Sequence, residues 1–125
     1  MKLRLVAIAA VLSLIAFACG DDDSADTTAP PAPDAARGML LFEGTCVVCH
    51  GEGGAGVSGL GTALIDNEFV QSLTDQELVA FLIEGRASDH PDNTTGVAMP
   101  PRGANPGLTD TDLLAIVTYL RTLQG

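Results

Sequence analysis

The 125-residue sequence has no tryptophan, one tyrosine and only four phenylalanines, so aromatic rings contribute little to any core. Basic residues are scarce too: six Lys and Arg stand against sixteen Asp and Glu, a formal charge of −10. A balance of that sign argues against nucleic acid or an anionic membrane surface as the main ligand. Cysteine occurs three times, an odd number that excludes a fully disulfide-paired scaffold in a monomer. No convincing strand pattern is present, and no internal repeat. The length suits one domain and does not suggest two.

What is abundant is apolar residues, 46% of the chain, but they are unevenly spread. Fifteen of residues 1–18 are apolar, the exceptions being Lys2, Arg4 and Ser13. A basic start before an apolar run has the layout of a secretory signal peptide. The run falls short of the roughly 20 residues that cross a bilayer as a helix. Two processing routes fit its end, Ala16-Phe17-Ala18-Cys19. Cleavage at A-x-A would release a soluble chain beginning at Cys19. The same stretch resembles a bacterial lipobox, with Ala16 where Leu is usual, and would leave Cys19 acylated. Residues 19–33, beginning Gly20-Asp21-Asp22-Asp23-Ser24 and ending at Pro33, lack aromatic and branched apolar side chains and cannot bury enough surface to fold. They read as an acidic, proline-bearing tether, which favours the lipid-anchored form. The expected localisation is the cell envelope, on the outer face of the cytoplasmic membrane or periplasmic.

Residues 34–125 then make the folded unit, expected to be all-α. A first helix starts at Asp34 as N-cap, with Ala35, Gly38, Met39 and Phe42 on one face. Glycines at 51, 53, 54, 56, 59 and 61 mark a long loop. A short helix is expected near 67–72. Thr74-Asp75-Gln76-Glu77 is a capping box for another helix that buries Leu78, Phe81 and Leu82 and stops at Gly85. Four prolines and three glycines make 86–108 irregular. The last helix is capped by Thr109, with Asp110 and Asp112 near its positive end and Leu113, Ile116, Val117, Leu120 and Leu123 along one face. Such a core is thin for two long loops, and a large apolar cofactor would supply the missing staple.

Cys46-Val47-Val48-Cys49-His50 is C-x-x-C-H, the attachment signature of c-type haem. Thiols three positions apart can reach two vinyl groups of one porphyrin, and the next residue then puts an imidazole beneath the iron. A thioredoxin-like site would want a βαβ context. A closed zinc site would want further ligands, and only His90 remains. A plain disulfide would leave His50 unused. For a sixth ligand, a thioether raises the reduction potential. Met99 lies in Val97-Ala98-Met99-Pro100-Pro101, where the prolines prevent helix and let a loop present the sulfur. Met39 reads instead as packing on the first helix. His90, among Asp89, Asp92 and Asn93, reads as a solvated loop residue.

With those residues in hand, the chain resembles a small class I mono-haem c-type cytochrome over residues 36–123. The resemblance implies three or more helices around one covalently attached haem, anchored by Cys46 and Cys49 and ligated by His50 and Met99. It implies that the N- and C-terminal helices cross, Gly38 and Phe42 packing on Tyr119, with Leu120 near the haem edge. It also implies a loop carbonyl that orients the proximal histidine ahead of a buried leucine, here Leu64. The family usually has proline at that carbonyl and this chain has Thr62, which can still accept from His50.

Two motif matches mislead. Gly51-Glu52-Gly53-Gly54-Ala55-Gly56 fits G-x-G-x-x-G, but a dinucleotide fingerprint needs a strand before it and a helix after it; here the glycines are expected to let backbone run close to the porphyrin. Asn93-Thr94-Thr95 fits a glycosylation sequon and carries little weight in a bacterial-looking chain. A haem with both axial positions filled leaves no open site for substrate, so one-electron transfer is expected, not catalysis. Two alternatives stay open: a haem subunit of a larger oxidoreductase or oxidase, and a sensor or weak peroxidase if Met99 is labile. Twelve acids and four arginines leave −8 on residues 34–125. That charge points to redox partners with a basic or mainly apolar docking patch, bound transiently. Arg102, near Met99, reads either as a propionate partner or as a solvated loop arginine.

Overall fold

A computed structural model describes residues 34–125; the leader and tether expected over 1–33, including Cys19, lie outside the described residues. Five helices follow in order: α1 (Ala35–Thr45), α2 (Val47–His50), α3 (Glu68–Ser72), α4 (Asp75–Glu84) and α5 (Asp110–Thr122). No strand occurs among the described residues, only isolated bridges pairing Val57 with Gly61 and Arg86 with Met99. None of the described helices is long and apolar enough to cross a membrane.

Four of the five helices start where a short polar side chain satisfies an otherwise orphaned backbone N–H, the exception being α2, which follows directly on α1. Asp34 accepts from the Arg37 amide at 2.6 Å, and Asn67 from the Val70 amide at 3.1 Å. Reciprocal boxes open α4 and α5: Thr74 with Glu77, and Thr109 with Asp112. Gly85 ends α4 with φ of 75°, a left-handed conformation that costs a side-chain-bearing residue more.

Helices α1 and α5 cross at Gly38. A Cβ at this position would run into the Ala115 carbonyl oxygen and lie 2.9 Å from the Tyr119 Cβ. One turn on, Phe42 is 1% exposed and packs a tilted ring 5.4 Å from Tyr119. Leu113, Ile116, Val117 and Leu120 of α5 are buried with Leu78 and Leu82 of α4. Met39 is a correction to the first-helix reading: it is 39% exposed. Helical residues advance about 100° each, so when the axes meet on a glycine the contact is a narrow Gly38–Phe42 stripe, and Met39 turns away from it.

Arg121 braces the short α3 against the rest. Its Nε donates to Asp75 at 2.8 Å, and its two Nη atoms donate to the Val70 and Leu73 carbonyls at 2.5 Å each. The α3–α4 joint is thereby tied to α5. A second tie joins the chain end to the loop before α3, where the Gln124 amide donates to the Leu64 carbonyl at 2.8 Å.

Candidate functional site

Between these helices lies a cavity of about 670 Å³, within the range of cofactor sites. Its apolar walls come from α1, α3, α4 and α5, with Phe42, Val70, Leu78, Leu82, Ile116 and Leu120 among them. Cys46, Cys49 and His50 line it, and so do Leu64 and Met99. The chain thus brings together at one cavity the expected haem anchors Cys46 and Cys49 and the expected axial ligands His50 and Met99.

Local structure explains the posture of the C-x-x-C-H segment. The Cys46 amide closes α1 on the Phe42 carbonyl at 2.7 Å, and the chain turns directly into α2. That single turn carries both cysteines and His50 against the cavity. Cys46 and Cys49 are not joined in a disulfide. Before haem is attached, burial, and then the neighbouring Cys49, push the Cys46 thiol up to about 11. The His50 Nδ1 sits 2.8 Å from the Thr62 carbonyl oxygen. A carbonyl only accepts, so Nδ1 carries the proton and Nε2 is left as the lone-pair nitrogen. The donor set therefore fits a haem: two unpaired thiols, an oriented imidazole, a soft thioether and apolar walls.

Met99 is held by its own backbone. Its amide donates to the Arg86 carbonyl and its carbonyl accepts from the Arg86 amide, each at 2.8 Å. The other two candidates stand elsewhere. Met39 is on the outer side of α1, and His90 is exposed in its loop, accepting from the Asp92 amide at 3.1 Å. Arg102 lines the cavity and is already paired within the domain. Its side chain is 24% exposed and donates to the Leu108 carbonyl at 2.8 Å and to Asp110 at 2.7 Å.

The glycines of the misleading G-x-G-x-x-G stretch correct an expectation. Gly51, Gly53, Gly54 and Gly56 have φ of 60–82° but are not among the residues lining the cavity. They serve a tight left-handed path in which backbone meets backbone, as where a Cβ on Gly51 would sit 2.8 Å from the Gly56 carbonyl oxygen. Gly61 is the glycine of this loop that does line the cavity. Sequence reasoning passed over Arg86, whose guanidinium lies over the Phe69 and Phe81 rings. The only sequence signal was its place directly after the glycine that stops α4.

The cytochrome c family profile matches residues 35–124. The chain belongs to the cytochrome c family. It is a class I c-type cytochrome in an all-α fold and carries covalently bound haem c. Among curated relatives, the "Cbb3-type cytochrome c oxidase subunit FixP" of Bradyrhizobium sp. strain ORS 278 is 29% identical over 90 residues, covering 72% of this chain and 30% of the relative. The FixP of Azorhizobium caulinodans is 32% identical over 94 residues, 74% of this chain and 28% of the relative. "Cytochrome c-551" of Bacillus subtilis strain 168 is 37% identical over 62 residues, 46% of this chain and 55% of the relative. The cytochrome thus spans under a third of the FixP relatives' length and about half of cytochrome c-551. No solved structure matches it at comparable significance.

Proposed function

We propose that this cytochrome is a one-electron carrier in which Cys46 and Cys49 hold the haem as thioethers and His50 and Met99 are its axial ligands. The observation that carries this reading is the meeting of His50, oriented by the Thr62 carbonyl, and Met99 at one apolar cavity. Bound haem c supplies the one-electron couple. The chain's own part is to exclude water with Phe42, Leu64 and the α5 leucines, to keep Nε2 of His50 directed by holding Nδ1, and to present a thioether that favours the reduced state. With both axial positions occupied, no substrate site remains and the domain is a carrier rather than an enzyme.

The absorption spectrum of the oxidised wild type and of Met99→Ala tests the ligand set. A far-red band of methionine-ligated Fe(III) is expected in the wild type and lost in the variant. Its survival in Met99→Ala overturns the assignment.

The electron donor and acceptor are redox proteins of the cell envelope with basic or apolar docking patches. The similarity to FixP favours a second setting for the same chemistry, as a haem subunit delivering electrons within an oxidase complex. Stoichiometric co-purification with membrane subunits separates that setting from a free carrier. Residues 1–18 are proposed as the export signal and Cys19 as a lipid anchor for residues 19–33. Mass spectrometry of the mature N-terminus tests this, and an unmodified Cys19 rules the anchor out.

A further inference from the structure

Arg86 lines the cavity, and the haem reading gives it no task. Arg86 has its guanidinium carbon 4.6 Å from the Phe69 ring centre and 4.9 Å from that of Phe81. Those two rings pack edge to face at 4.9 Å, one from α3 and the other from α4. Arg86 Nη1 also donates to the Asp92 carbonyl at 3.2 Å. The backbone of the same residue forms the closed two-bond pair with Met99. One arginine thus joins an aromatic pair of the wall, the middle of the 86–99 loop and the peptide of Met99.

The rest of this loop is built to hold that pair in place. Asn93 is its hub: Nδ2 donates to the Ala87 carbonyl at 2.9 Å and to the Val97 carbonyl at 2.8 Å, and Oδ1 accepts from the Gly96 amide at 2.8 Å. Behind it, Gly85 leaves no room for a side chain, since a Cβ there would stand 2.9 Å from both the Pro100 carbonyl carbon and the Pro101 nitrogen. The segment carrying Met99 therefore rests on Gly85 and Arg86. It is not part of a helix or a sheet, and two isolated backbone bonds open easily unless side chains support them. A cation over aromatic faces supplies that support, the more so where water is partly excluded. Arginine suits the task because its planar group stacks on rings while its N–H groups still donate.

We propose that Arg86 is a positioning residue for Met99: its stacking on Phe69 and Phe81 sets how much of the time the thioether is presented to the cavity. This rests on Met99 being the axial ligand.

The test uses the oxidised, haem-loaded full chain and imidazole as the competing ligand. Apparent imidazole affinity scales with the fraction of molecules in which Met99 has moved away. Arg86→Gln is expected to raise it by about tenfold, equivalent to about 1.4 kcal/mol. Arg86→Lys falls between, keeping the charge but losing the plane. Phe69→Leu, which removes one ring from a partly exposed site, produces a smaller rise in the same direction. Hydrogen exchange gives a second readout. The Arg86 and Met99 amides exchange faster in Arg86→Gln, whereas those of α5 around Ile116 keep wild-type protection.

Unchanged imidazole affinity and unchanged loop exchange in both Arg86→Gln and Phe69→Leu overturn the proposal. Should Arg86→Gln fail to fold, Phe69→Leu carries both readouts. Met99→Ala separates the two claims. If it keeps the far-red band, the ligation reading fails and exchange alone judges the positioning role. If it loses the band while Arg86→Gln matches the wild type, only the positioning role fails.

Discussion

The Nδ1 of His50 donates to the backbone carbonyl of Thr62 across 2.8 Å. Because the acceptor is a peptide oxygen, the side chain at 62 enters only through the path of its loop. That path is set next door, where a Cβ on Gly61 would come within 2.7 Å of the Cys49 carbonyl carbon.

Thr62→Ala is therefore expected to leave both the Nδ1–H proton resonance of His50 and the reduction potential close to wild type. Gly61→Ala pushes the loop off Cys49 and carries the Thr62 carbonyl away from the ring. A histidine without that acceptor is a less basic ligand and favours Fe(III) less. Redox titration should accordingly show a higher potential for Gly61→Ala and no change for Thr62→Ala.

Gly38→Ala addresses the crossing of α1 and α5. The added methyl must displace the Ala115 carbonyl and the Tyr119 side chain, since no space exists between them. Overpacking of this kind costs about 1–3 kcal/mol, and a domain of this size loses about 4–8 °C of melting temperature per kcal/mol. Thermal melts of the haem-loaded protein should drop by at least about 4 °C. The same change at Gly44, where a Cβ would meet nothing within 4 Å, should not lower the melt.

Asp112 links local and long-range structure. It completes the capping box with Thr109 and also pairs with the Arg37 guanidinium of α1. The Arg37 hydrogen bond first, then those from the Thr109 backbone and hydroxyl, hold its carboxyl down at about 2 against an ordinary 3.8. A carboxyl depressed by folding contributes stability that is complete above its unfolded value and lost as pH falls through its folded value. This part of the stability should disappear as pH drops from about 3.8 towards about 2. In Asp112→Asn it should be missing at neutral pH, leaving a shallower acid slope in denaturant midpoints across that window.

Every arginine among the described residues is engaged within the domain. Arg37 pairs with Asp112, Arg102 with Asp110 and Arg121 with Asp75, while Arg86 lies over its two rings. Asp66, Glu68 and Asp92 line the cavity alongside the exposed apolar residues Ile65, Phe69 and Val97. Arg86 and Arg102 line it as well, but the domain carries −8 overall, and an excess of negative charge steers a basic partner toward such an apolar centre. Association with such a partner, followed by stopped-flow, should slow steeply as salt rises. Replacing Asp66 and Glu68 by their amides should slow it several-fold at low salt and hardly at all at high salt.

Local signals were legible wherever one turn of chain contains both the cause and the effect. Asp34, Thr74 and Thr109 start helices as their side chains suggest, and Gly85 stops one. The short helix after Asn67 also stands where it was expected. Met39 was misplaced because helical periodicity identifies a face without saying how wide a stripe of it the partner helix covers. The glycines at 51–56 were misplaced for a related reason: composition shows that backbone must turn there, not which surface it turns beside. Thr109 was legible as a cap, but Asp112's tie to Arg37 joins positions 75 residues apart and leaves no mark in spacing.

By itself the sequence determined the C-x-x-C-H turn, the helix starts and stops, the acidic balance and the short list of three sulfur or nitrogen candidates for the second axial position. Met99 was already preferred among them for its proline-flanked loop, and the family resemblance already implied a Thr62 carbonyl that accepts from His50. Only the tertiary structure decided that these groups meet at one apolar cavity, and that Arg86 stands between Met99 and two aromatic rings. The reason is physical. Caps and turns are satisfied by bonds within three or four residues. A cofactor cavity, in contrast, is enclosed by segments brought together only when α1 closes on α5 at Gly38.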